Sequence, residues 1–76
     1  MTVEEALTEL LQTFPERDGL QVTEHAWFWK ERGRVQRSAR IMLGPEYNAP
    51  KFESEGEAPL EHLIAQVREW KESQPS

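Results

Sequence analysis

Cysteine is absent from this 76-residue chain, which removes disulfides and thiolate metal ligands as ways to staple a small domain. A domain of this size buries only about 60–65% of the surface its unfolded chain exposes. The fold must therefore rest on an ordinary hydrophobic core. Lack of cysteine also fits a reducing compartment. No apolar run approaches the roughly 20 residues that a membrane-spanning helix needs. The opening Met1-Thr2-Val3-Glu4-Glu5 is acidic and has no signal peptide's basic start. These absences point to a cytoplasmic, soluble protein with no membrane partner. Catalytic signatures are missing too. There is no Walker pattern and no G-x-G-x-x-G. His25 and His62 stand far apart, outside any nucleophile or metal-ligand motif. Glu53, Glu55 and Glu57 alternate, but no calcium-loop spacing accompanies them, and Glu55 and Glu57 suit the start of a following helix. The chain reads as non-catalytic, with no cofactor and no metal.

What is present is a segregated charge pattern. The formal net charge is −5, yet Lys30, Arg32, Arg34, Arg37, Arg40 and Lys51 lie in one window against only Glu31 and Glu46. That window also begins beside three consecutive aromatics, Trp27-Phe28-Trp29. An otherwise acidic protein with one basic, aromatic segment suggests a binding surface.

The elements follow from periodicity. Thr2-Val3-Glu4-Glu5 has capping-box spacing, and Val3, Leu7, Leu10, Leu11 and Phe14 form an apolar helical stripe that Pro15 ends. Leu20–Lys30 and Arg34–Leu43 are rich in β-branched and aromatic residues and read as a hairpin about Glu31-Arg32-Gly33. Lys51–Ser54 is a short third strand at an edge. Pro59 suits the first position of a second helix, whose stripe is Leu60, Leu63, Ile64, Val67 and Trp70. The fold class predicted is α+β: a two-layer α-β-β-β-α sandwich with a three-stranded antiparallel sheet and both helices packed on one face. Residues 1–71 make a single compact domain, and 72–76 a frayed polar tail.

Turn chemistry suggests which side chains point inward. A two-residue turn would force Arg32 to positive φ, whereas a three-residue loop asks this only of Gly33. The three-residue loop pairs Lys30 with Arg34. It sets Trp27, Trp29 and His25 on the core side with Val35, Arg37, Ala39, Ile41 and Leu43. Val22, Glu24, Ala26 and Phe28 then look outward with Gln36, Ser38, Arg40 and Met42, and Glu24 faces Arg40. A slip of one residue would instead put the tryptophans opposite Gln36 and Ser38.

On that register the expected function is a small interaction module. It would bind a protein partner, or a second copy as a homodimer, through the outer sheet face and basic hairpin tip. Val22, Ala26, Phe28 and Met42 would supply apolar contact, and Lys30, Arg32, Arg34 and Arg40 the charge. An alternative is single-stranded nucleic-acid binding by the aromatic and arginine hairpin. Another is that Glu4, Glu5, Glu9, Glu61, Glu69 and Glu72 mimic a nucleic-acid backbone toward a basic partner.

The element order is similar to that of double-stranded RNA-binding domains, and Gly44-Pro45-Glu46-Tyr47-Asn48-Ala49-Pro50-Lys51-Phe52 loosely resembles their Gly-Pro…Phe stretch. That family holds RNA phosphates with a lysine cluster at the start of its second helix. Here the corresponding segment is Glu55-Gly56-Glu57-Ala58-Pro59-Leu60-Glu61, which would repel phosphates. RNA binding is therefore not carried over from the resemblance.

Overall fold

The structure, a computed structural model, describes residues 1–74. Helix α1 spans Val3–Thr13, strands β1, β2 and β3 span Gln21–Trp29, Arg34–Met42 and Lys51–Gly56, and helix α2 spans Pro59–Ser73. The strands form one antiparallel sheet in the order β1-β2-β3. This is the α+β arrangement that the periodicities predict. Glu72 and Ser73, expected in the polar tail, continue α2, while positions 75 and 76 lie outside the described residues.

Each helix starts where local chemistry allows it. The Thr2 N–H donates to the Glu5 carboxylate at 2.8 Å, and the Glu5 N–H donates to the Thr2 hydroxyl at 3.1 Å. Two amides that a helix leaves orphaned are thereby satisfied reciprocally. Pro59 occupies the first turn of α2, where its missing N–H costs no hydrogen bond. The stripes of the two helices meet in one core: Ala6, Leu10 and Phe14 from α1, and Leu60, Leu63, Ile64 and Val67 from α2, all buried with Ala39, Ile41 and Leu43. Leu20, Val22, Phe52 and Trp70 pack around it, half-buried.

The helices lie side by side and point the same way. The Met1 amine bonds Glu61 at 2.7 Å near both helix starts, Glu9 bonds Arg68 at 2.8 Å midway, and the Phe14 and Trp70 rings sit 6.2 Å apart at the far ends. Because the core rows of the sheet are Val22–Ile41–Phe52 and Glu24–Ala39–Ser54, the helices cover only its lower part. The hairpin overshoots them, and the molecule is elongated, 47 × 22 × 21 Å.

The hairpin departs from the expected pairing by one residue. Trp29, not Lys30, pairs with Arg34, so the loop is Lys30-Glu31-Arg32-Gly33. The Trp29 carbonyl accepts from Arg32 N–H at 3.0 Å and Gly33 N–H at 3.1 Å. Gly33 then closes the turn at φ 66°, the left-handed conformation that glycine adopts without strain. The left-handed glycine was expected; the loop around it is one residue longer.

That one residue reverses β1. Ala39, Ile41 and Leu43 of β2 face the core as expected, but their β1 neighbours are Val22 and Glu24, and the tryptophans face outward. Two parities were open to β1. One offers the helices Leu20 and Val22, the other Gln21 and Thr23, and burial of apolar area favours the first. Trp27 and Trp29 lie where no helix reaches, so facing inward would bury them against nothing.

Candidate functional site

Among the described residues, no helix lies on the outer face of the sheet. Its rows, read from the pairing, are Gln21–Met42–Lys51, Thr23–Arg40–Glu53, His25–Ser38–Glu55, Trp27–Gln36 and Trp29–Arg34. Alternation along β1 therefore lines up His25, Trp27 and Trp29 on one side of one strand. The His25 and Trp27 rings stack, 5.5 Å between centroids at 26°, which leaves Trp27 half-buried, while Trp29 is 55% exposed. A shallow groove crosses the lower part of the face between His25, Ser38, Arg40, Glu53 and Glu55. A second groove lies beside the tip, between Trp27, Arg32, Arg34, Gln36, Glu55 and Glu57. It opens because β3 stops at Gly56, opposite Arg37, and leaves Arg34–Gln36 of β2 unpaired on that side.

The face is mixed in charge. Arg40 pairs with Glu53 at 3.0 Å, not with Glu24 as the other register implied. Glu24 instead lies on the helix side, 3.9 Å from Arg37. Both pairs follow the observed register: Arg40 and Glu53 stand directly opposite, and Glu24 and Arg37 are diagonal neighbours on the other face.

The eight residues proposed from sequence for partner contact are dispersed. Arg34, Arg40 and Met42 do lie on the outer face, Met42 half-buried between Gln21 and Lys51. Lys30 and Arg32 are exposed in the loop at the tip. Val22 is a core neighbour, turned away from an outer-face partner. Ala26 and Phe28 are exposed, but on the helix side and beyond the helices, with Phe28 at 55%. The outer-face residues that the sequence reading placed inside are His25, Trp27 and Trp29. The signal that locates them is at the start of β1, where Leu20 and Val22 alternate with Gln21 and Thr23.

Other candidate chemistry is thin. Glu53 and Glu55 share the outer face, Glu57 falls after the strand, and among the described residues no three metal-ligating side chains converge. His25 and His62 lie on opposite layers, one on the outer sheet face and one on α2. Of the six helix carboxylates, Glu5 caps α1, Glu9 holds Arg68 and Glu61 holds the Met1 amine. The hydrogen bonds of Glu5 and Glu61 act on their titration. The Thr2 N–H holds the Glu5 carboxyl below its usual range, and the amine does the same for Glu61. Glu61 in turn raises the Met1 amine. The start of α2 presents Glu57, Ala58 and Pro59 with no side-chain cap and no basic group, so the phosphate-holding cluster of RNA-binding domains has no counterpart there. No protein-family model matches the chain, and no curated protein or solved structure is significantly similar to it.

Proposed function

We propose that the protein is a non-catalytic binding module that takes a protein partner on its outer sheet face, with the basic hairpin tip at one end of the contact. The observation that carries this reading is the strip His25, Trp27 and Trp29, which no helix covers, beside Arg34, Arg40 and Met42. Aromatic residues, methionine and arginine are the side chains enriched where proteins bind one another. Glu53 and Glu55 on the same face favour a partner of mixed charge over a polyanion. Affinity capture from the native cell, with wild-type protein and a Trp29→Ala/Arg34→Glu double variant as baits, tests the reading. The partner should be lost with the double variant and kept with Tyr47→Ala, which removes an aromatic that is 91% exposed but lies in a distant loop. Equal capture by all three would refute the outer face as the contact.

One observation favours a second reading. Trp27 and Trp29 project two residues apart beside Arg34, the spacing of a platform for stacking successive bases. Labelled single-stranded oligonucleotides distinguish it: binding that weakens steeply with salt, and disappears with Arg32→Glu plus Arg34→Glu, would replace the protein partner.

A further inference from the structure

We propose that two copies of this chain join edge to edge through β1, forming a continuous six-stranded antiparallel sheet about a two-fold axis at His25. Strand β1 is one of the two edge strands and the longer of them, and among the described residues nothing pairs with its free edge over nine residues, Gln21–Trp29. That edge holds no proline, glycine or lysine, the usual devices that keep a sheet edge from adding a strand, and its one charged side chain, Glu24, is close to Arg37.

What the isolated chain leaves uncovered fits its own copy. On the helix side the overshooting hairpin exposes Phe28 and Val35, at 55% and 53%. Helix α1 has the complementary defect. Leu11 is 56% exposed and Leu7 half-buried. Leu11 lies about 200° around the helix from Glu9, which is held to α2 through Arg68. The Leu7–Leu11 flank therefore faces away from α2, over the free edge of β1. A two-fold axis at His25 sets Gln21 opposite the second copy's Trp29, Val22 opposite its Phe28, Thr23 opposite its Trp27 and Glu24 opposite its Ala26. Because α1 runs antiparallel to β1, from the level of Glu24 back past Leu20, the second copy's Phe28 comes to lie beneath the Leu7–Leu11 flank. Beyond it, the basic tip with Lys30 and Arg32 reaches the acidic Glu16 and Asp18 that precede β1. An axis at Glu24 would oppose two like charges, and one at Ala26 would set Glu24 against Phe28; the axis at His25 avoids both and pairs all nine residues. The two outer faces then lie on the same side of one sheet. The inference uses the edge of the sheet and the helix side, so it stands or falls apart from the outer-face reading.

Cysteine variants in the cysteine-free chain give the test. Directly opposed residues on neighbouring antiparallel strands are about 4.5–5.5 Å apart at Cα, within disulfide reach. Ser38 and its symmetry mate would be three strand spacings apart, roughly 14 Å, outside that reach. Under mild oxidation His25→Cys should give a covalent dimer and Ser38→Cys should form no covalent cross-link. Sedimentation of the wild type should show a dimer that Phe28→Glu weakens by an order of magnitude or more, with Arg40→Glu on the outer face leaving it unchanged. A wild type that stays monomeric at millimolar concentration, or cross-linking through Ser38→Cys in place of His25→Cys, would overturn the edge-paired dimer.

Discussion

Trp27 stands opposite Gln36 across the hairpin, not opposite Arg37, and this single step of register sets the aromatics of β1 on the open side of the sheet. Ile41, by contrast, sits fully buried between Val22 and Phe52. Truncating each should therefore have unlike effects. Ile41→Ala should cost about 2–5 kcal/mol, a large share of the roughly 5–15 kcal/mol that holds a small domain folded. Trp29→Ala should cost about 1 kcal/mol or less despite removing a larger side chain, because more than half of the residue is already exposed to water. Urea unfolding of both variants checks the contrast.

Gly33 carries the loop. Its φ of 66° puts it in the left-handed region, and a Cβ added there would meet no atom within 4 Å. Any penalty for substitution is thus a backbone penalty alone. Gly33→Ala should destabilise the protein by about 1 kcal/mol. Gly33→Asn should cost less, since asparagine tolerates this conformation. Chemical denaturation of the pair would show the order.

The legible parts of this fold are those decided locally. Thr2 and Glu5 form their capping box from four consecutive residues, Pro59 starts α2, and Leu10 and Phe14 of the first stripe and Leu60 to Val67 of the second mark buried faces by spacing, although Leu11 of the first stripe stays exposed. The inward face of β2 at Ala39, Ile41 and Leu43 is legible for the same reason. The partner face of β1 is not, because it depends on whether Lys30 belongs to the strand or to the loop. Both loops leave only Gly33 at positive φ, so turn chemistry does not separate them. What separates them is how far the helices reach along the sheet, a tertiary property. The size of Trp27 and Trp29 suggested a core; their distance from the helices denies them one. Arg40 found Glu53 instead of Glu24 as a direct result.

Trp70 is the tryptophan that does pack. Its ring lies 6.2 Å from Phe14 and 6.0 Å, edge-on, from Phe52, joining both helices to β3. Arg17 lies over it at 5.7 Å while donating to the Leu43 carbonyl at 3.0 Å. Trp70→Ala should destabilise by about 2–4 kcal/mol, at the lower part of the range for aromatic truncation because the ring is only half-buried. Thermal unfolding of this variant beside Trp29→Ala would rank the two.

The helix starts make stability depend on pH at both ends. Glu5 and Glu61 are held below their ordinary value of 4.5, so their contribution is present above that pH and is lost as pH falls through the lowered folded values. The Met1 amine is held above 8.0, so its contribution is present below that pH and is lost as pH rises through the raised folded value. Thr2→Ala should lower stability at neutral pH by about 1 kcal/mol by removing the hydroxyl that accepts from the Glu5 N–H, whereas Glu5→Gln should flatten the acid limb, because the Thr2 N–H that lowers the Glu5 carboxyl survives the first change. Melting curves at a series of pH values would reveal both limbs.

The register of the hairpin is the claim on which the outer face, the edge and the tip all depend. Cross-strand proton contacts in a nuclear magnetic resonance spectrum measure it directly. The predicted result is contact between the backbones of Trp27 and Gln36 and of His25 and Ser38, with no contact from either indole to the methyl groups of Leu60 or Leu63. Direct pairing of Trp27 with Arg37 and of His25 with Ala39 across the strands, or an indole of Trp27 or Trp29 against those leucines, would contradict the account.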